Sequence, residues 1–326
     1  MRILKKNIKK HNLIAEGSFG CIFHPGMSCN HKPLNSKYIT KIHSSNEKTT
    51  TNEIVISKKI QTIPNYTLYF SPVLENCNVN LAKVDTDNID KCTFINEDIK
   101  TKQPLTYVST QTRYVEGDTL LKYIEKQNPN NNISTIIYVL YNKLCKSIQL
   151  LLEKEIIHFD LRENNMIIAK QGEPIIIDYG ISIDFGILKK KKFAPRYLKK
   201  AFYAYTTKYK PWCIEIVLIS YLVNYPANPL TPTKIMEIFD ELMETNHFKN
   251  IPYLKDALPK YREQFKTHVA TKPANELLIH LLTTYKRWDT YSLAIILIQM
   301  LEKTGQTPTQ TYIDKIKENL GFLQVS

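Results

Sequence analysis

The stretch EIIHFDLRENNMIIAK, Glu155 to Lys170, sets His158, Asp160 and Asn165 between two short isoleucine-rich runs. Runs of this composition read as strands or strand ends, so the polar residues fall in a tight loop between them. Loops on rigid scaffolds are common places for chemistry, and here a carboxylate and an amide stand five residues apart. A polar hairpin turn has the same local pattern. The choice between the two rests on what the rest of the chain supplies.

Working outward, EPIIIDYG ends a strand with Asp178, followed by Tyr179 and Gly180. A carboxylate at a strand end suits a divalent cation. If MIIAKQGEPIIID folds back around Gln171 and Gly172, Asn165 becomes its neighbour and Asp160 is left to orient or accept the proton of an attacking hydroxyl. Near the start, AEGSFGCIF puts Gly17 and Gly20 in a turn between two strands, where bare backbone is able to cover a polyphosphate. Ala15 stands where the first glycine of such loops is usual. Lys41 lies on an alternating strand, and Glu53 on the next helix is its available partner. Two surface charges that never meet are the plainer alternative.

At 326 residues and 43% hydrophobic, the chain is able to bury a full core and is expected to form two lobes. The basic start MRILKKNIKKHN lacks a signal peptide's apolar core, and YSLAIILIQML is too short to span a bilayer, so no export or membrane anchor is expected. Six scattered cysteines without a Cys-x-x-Cys pair predict neither a disulfide framework nor a zinc site, and hence an intracellular, reducing compartment. Lys+Arg 44 against Asp+Glu 31 gives +13, which favours acidic partners: nucleotides, acidic or phosphorylated proteins, nucleic acid or anionic lipid. The densest patch, LKKKKFAPRYLKK, interleaves Phe193 and Tyr197 with the cations of Lys189 to Lys200, as in a nucleic-acid surface or a solvated loop.

Short β-rich runs fill the front of the chain, with one amphipathic segment that Thr50 or Thr51 is expected to cap. A long helix is predicted from Ser134 and another from Thr231 before Pro232, and the remainder of the chain reads as mostly helical. The organisation is α+β, with a boundary near Tyr114 to Gly117.

In order, type and approximate spacing these residues resemble the protein kinase family. EGSFGCIF resembles the glycine-rich phosphate loop, YITK the strand lysine and NEI the glutamate-bearing helix. HFDLRENN is similar to the catalytic loop, DYG to Asp-Phe-Gly, KPWCIE with Glu215 to the end of an activation segment, and WDTYSLAIIL to the buried helix whose Asp289 braces the catalytic loop. The resemblance implies a bilobal protein-kinase-like fold: a small β-rich N-lobe over residues 1–115, and a larger helical C-lobe over 116–326 with an insertion at about 217–286 before the Asp289 helix. It implies ATP and Mg²⁺ as cofactors. Lys41 would bind the α/β phosphates and pair with Glu53, Asp178 and Asn165 would hold Mg²⁺, and Asp160 would position the substrate hydroxyl. Ala15, Gly17, Ser18, Phe19, Gly20 and Ile22 would line the nucleotide, with Thr112 as gatekeeper, Arg113 to Val115 facing adenine and Asp118 reaching the ribose.

The departures matter as much. Phe159 replaces the arginine that in many protein kinases pairs with a phosphorylated activation loop, and a phenyl ring cannot bind phosphate bidentately. Thr206 or Thr207 points to Ser/Thr substrates. The altered back lobe and the Asn/Lys/Ile/Tyr-rich composition look like the divergent kinases of large DNA viruses. A protein substrate, acidic or bound to nucleic acid, is the expected partner. A pseudokinase scaffold for acidic partners or nucleic acid, a small-molecule phosphotransferase and a nucleic-acid-binding protein are the alternatives.

Overall fold

The computed structural model describes residues 12–17, 20–26, 29, 35–44, 48–79, 91–93, 95–96, 107–127, 132–228 and 230–322. The chain divides into two compact units, residues 1–116 with 175–180, and residues 117–174 with 181–326. The boundary expected after Val115 is therefore crossed once more, because the Asp178 segment clusters with the first unit.

The first unit is built on an antiparallel sheet of β1 (Asn12–Gly17), β2 (Gly20–His24), β3 (Tyr38–Ser44), β4 (Val73–Val79) and β5 (Tyr107–Arg113), in the order β1-β2-β3-β5-β4. Gly17 pairs with Gly20 at the tip of the first hairpin. Gly20 has no substitute there: a Cβ would stand 2.1 Å from the Ile42 carbonyl oxygen, well inside contact distance. Helix α1 (Lys48–Ile60) buries Glu53, Ile56, Ser57 and Ile60, one stripe at helical spacing. It begins at Lys48, so Thr50 and Thr51 lie inside its first turn and do not cap it. Cys21, Phe23, Ile42, Cys92, Ile95 and Tyr107 form a core cluster against which Leu13 and Val79 pack.

That core overturns one expectation. Cys21 is bonded to Cys92 and Cys29 to Cys77, leaving Cys145 and Cys213 as free thiols. The partners are 71 and 48 residues apart, so spacing along the chain carried no sign of them; the sheet brings them together. With two disulfides present, the argument for a reducing compartment is withdrawn.

The second unit opens with β6 (Gly117–Thr119), α2 (Leu120–Glu125) and α3 (Ile133–Glu153). Asn132 caps α3, accepting from the Thr135 N–H at 3.2 Å, and Ser134, the expected cap, sits in the first turn bonded to Asn132. Strands β7 (Ile156–Ile157) and β8 (Met166–Ala169) flank the catalytic-type loop, and Gly172, at φ 82°, turns the chain toward β9 (Pro174–Ile176). β10 (Ile183–Asp184) pairs antiparallel with β7. Helices α4 (Phe185–Lys190), α5 (Pro195–Ala201), α6 (Ile214–Asn224), α7 (Pro232–Thr245), α8 (Pro252–Lys255), α9 (Ala257–Phe265), α10 (Ala274–Thr283), α11 (Trp288–Thr304) and α12 (Gln310–Asn319) complete the unit. Thr231 caps α7 as expected, through the Lys234 N–H at 3.2 Å. The core is α3 against α11: Ile137, Leu140, Tyr141, Leu144, Ile148 and Leu151 make one buried face of α3, while α11 is buried almost all round. Among the described residues no helix is long and apolar enough to cross a membrane.

Thiol titration of the denatured, non-reduced protein should count the two free cysteines, and reduction should lower the melting temperature. A chain-entropy argument gives about 4 kcal/mol for closing a loop the length of Cys21–Cys92. Six reactive thiols before reduction would refute the pairing.

Candidate active site

In the second unit the loop between β7 and β8 is held from behind. Asp289, 1% exposed near the start of α11, accepts the His158 N–H on Oδ2 at 2.7 Å and the Phe159 N–H on Oδ1 at 3.0 Å. Burial pushes the Asp289 pKa up, against the opposing pull of His158 and the two N–H bonds. The His158 carbonyl accepts from Ser182 Oγ at 3.0 Å. Phe159 takes φ 70°, a costly conformation for a residue with a side chain, and the ring is kept there by Phe202 and Trp212 at centroid distances of 5.7 and 4.9 Å. Trp212 Nε1 also donates to the Phe159 carbonyl at 3.0 Å.

This bracing sets Asp160. Its backbone N–H donates to His158 Nδ1 at 3.3 Å, and Asn165 Nδ2 donates to both its carbonyl and its Oδ2 at 2.9 Å. With its nitrogen turned to Asp160, Asn165 has its amide oxygen as the atom to offer a cation. The other carboxylate oxygen, Oδ1, accepts from the Tyr209 hydroxyl.

In the first unit Lys41 lies on β3 and Glu53 on α1. Burial pushes the Glu53 pKa up to about 7; Lys41 pulls it down, Asp178 pushes it up, and a hydrogen bond from the Tyr179 backbone lowers it. Lys41, Glu53 and Asp178 are therefore electrostatic neighbours. Asp178 sits at φ 65°, with its Oδ1 accepting from the Gly180 N–H at 3.3 Å. Asn52, one residue before Glu53, donates to the Gly180 carbonyl at 3.0 Å, and buried Tyr179 donates to the Ile176 carbonyl at 2.7 Å. Helix α1 and the Asp178 segment are thus tied together beside Lys41.

Among the other expected residues, Ala15 and Gly17 are on β1, Gly20 and Ile22 on β2, and Ser18 and Phe19 lie outside the described residues. Thr112 is on β5, paired with Ile39, and Val115 is buried just beyond it. Asp118 belongs to the second unit, where Lys126 holds its carboxylate at 2.6 and 2.7 Å. Glu215 is bound by Arg287 at 3.1 Å. Sequence pattern alone singled out none of Arg287, Trp212 and Tyr209; Trp212 stands inside the quoted KPWCIE, whereas Tyr209 meets Asp160 across 49 residues, with no local signal.

Two variants probe these arrangements. Asp289→Asn turns one acceptor into a donor facing a buried N–H, and should cost about 2 kcal/mol in denaturant unfolding; an unchanged midpoint would remove the bracing role. For Glu53, a folded pKa of about 7 against an ordinary 4.5 means its protonated form favours folding, and that contribution is lost as pH rises through 7. Without nucleotide or metal, Glu53→Gln should melt higher than wild type at about pH 8, with the gap closing toward about pH 4.

A family profile described as protein tyrosine and serine/threonine kinase matches residues 8–199, more than half of the chain. The probable serine/threonine-protein kinase glkA of Dictyostelium discoideum is 28% identical over 123 residues, which cover 35% of this chain and 25% of that protein. The match therefore takes in about a quarter of the relative's length. With the braced Asp160 loop in one unit and the Lys41, Glu53 and Asp178 group in the other, the chain belongs to the protein tyrosine and serine/threonine kinase family.

Proposed function

We propose that the chain transfers the γ-phosphoryl group of ATP to serine or threonine hydroxyls of protein substrates. The observation that carries this reading is Asp160: a half-buried carboxylate on a loop whose backbone is locked by Asp289, with Asn165 fixing its orientation. Phosphoryl transfer asks for positioning and charge neutralisation more than for covalent chemistry. Asp160 orients the acceptor hydroxyl and takes up its proton. Lys41 supplies a cation to the α/β phosphates, and Glu53, ionised above about pH 7, steadies it. The glycine hairpin of β1 and β2 offers backbone rather than side chains to the nucleotide. Asp178 and the Asn165 amide each offer a hard oxygen donor of the kind magnesium takes, so the donor chemistry suits the ion. Bound Mg²⁺ would offset the charge of the β- and γ-phosphates.

Serine/threonine preference is supported by the printed name of the Dictyostelium relative and by the place of Thr207, buried near the end of the activation segment and bonded to Glu241 at 2.7 Å. An acidic protein substrate is supported by the charge of +13 and by the exposed Lys190, Lys191, Lys192, Arg196, Lys199 and Lys200 on α4, α5 and the turn joining them. Direct stacking on nucleic-acid bases has less support there. Phe193 packs on Phe185 at 5.8 Å, and the Tyr197 ring is covered by Lys191 and Arg196. Lys189 is drawn off to Glu155 and Tyr285.

A γ-phosphate transfer assay with Mg-ATP and matched acidic and basic serine peptides tests the reading. Wild type should label the acidic peptide, and Asp160→Ala and Asp178→Ala should each lose about a thousandfold or more. Nucleotide binding without transfer by wild type would favour the scaffold alternative, and a preference for the basic peptide would sink the acidic-substrate proposal.

A further inference from the structure

The catalytic carboxylate already has a hydroxyl on it. Tyr209 Oη donates to Asp160 Oδ1, while Oδ2 is taken by Asn165 Nδ2 at 2.9 Å. Burial and the adjacent Asp160 charge push the Tyr209 pKa up, so the phenol stays protonated and remains a donor. The Arg162 charge lies near the phenol and opposes part of that effect on its titration. The ring is positioned from outside the contact: Trp212 meets it edge-on at 5.3 Å, and Trp212 is itself fixed to Phe159 by its ring and its Nε1. Every residue of this chain of contacts belongs to the second unit.

Under the kinase reading, on which this inference rests, the bond made by Tyr209 is the one an incoming serine or threonine hydroxyl must make. Asp160 is half-buried, and its Oδ1 is taken by the phenol hydroxyl. We propose that Tyr209 occupies the acceptor subsite of this site, competing with the substrate hydroxyl for Asp160. A substrate enters by displacing it. Tyr209 is only half-buried and Lys208 beside it is exposed, so a displaced ring has solvent to enter. Apparent affinity equals intrinsic affinity multiplied by the fraction of protein that is competent, so a phenol holding Asp160 about nine-tenths of the time weakens substrate binding about tenfold. That is about 1.4 kcal/mol. The competition acts on the acceptor and leaves the nucleotide untouched.

Tyr209→Phe removes the hydroxyl and keeps the ring against Trp212. The test is steady-state kinetics on the full chain with Mg-ATP and whichever of the two serine peptides wild type labels better, together with calorimetric binding of both peptides without nucleotide. The expected result is a peptide KM and Kd about tenfold lower, kcat not reduced, and KM for ATP unchanged. A fall in kcat of tenfold or more at constant KM would make the phenol a positioning group for Asp160 and overturn the proposal. Unchanged kinetics and unchanged peptide binding would overturn it too. If wild type transfers no phosphate, the kinase reading fails separately; tighter peptide binding by Tyr209→Phe would still uphold the competition, and equal binding would end it.

Discussion

Two hydrogen bonds from neighbouring backbone N–H groups to one buried carboxylate organise the candidate site of the second unit. Asp289 accepts from His158 and Phe159, and all that is chemically distinctive in the loop depends on that grip: the left-handed Phe159, the orientation of Asp160 and the reach of Asn165. A charge 1% exposed would be a liability without partners. Here the cost is offset by two charge-assisted bonds, one backbone N–H to each carboxylate oxygen. Because Asp289 is on α11, the helix packed against α3, the hydrophobic core and the chemistry share one element.

The first unit has a matching logic in a different form. Glu53 is buried between a cation and a carboxylate, and the segment carrying Asp178 is tied back to α1 through Asn52. Left-handed backbone at Asp178 and at Phe159, the neighbour of Asp160, is strain concentrated at the candidate site, and fixed contacts hold each in place.

Much of this was legible in the sequence because it is local. The alternation of YITKIH, the amphipathic segment that forms α1, the Thr231-Pro232 start of α7 and each of the kinase-like motifs lie within a few turns of chain. Thr50, Thr51 and Ser134 show where locality runs out: each is a good capping residue, and each is displaced by a helix that begins earlier. What was hidden is long-range. Cys21 finds Cys92 and Tyr209 reaches Asp160; neither partner is marked by a pattern in its own neighbourhood. The basic run from Lys189 to Lys200 was visible as charge, but which of its cations pair with Glu155 or lie over Tyr197 was not.

Phe159 has a further consequence. Where an arginine would tie the catalytic loop to a phosphate on the activation segment, this chain ties it by ring contact to Phe202 and Trp212. A guanidinium–phosphate clasp is screened by dissolved ions, whereas packed aromatic surface is held in place by its exclusion from water. The segment around Trp212 therefore keeps its place as ionic strength rises, even in brine concentrated enough to screen the lysines of α4 and α5.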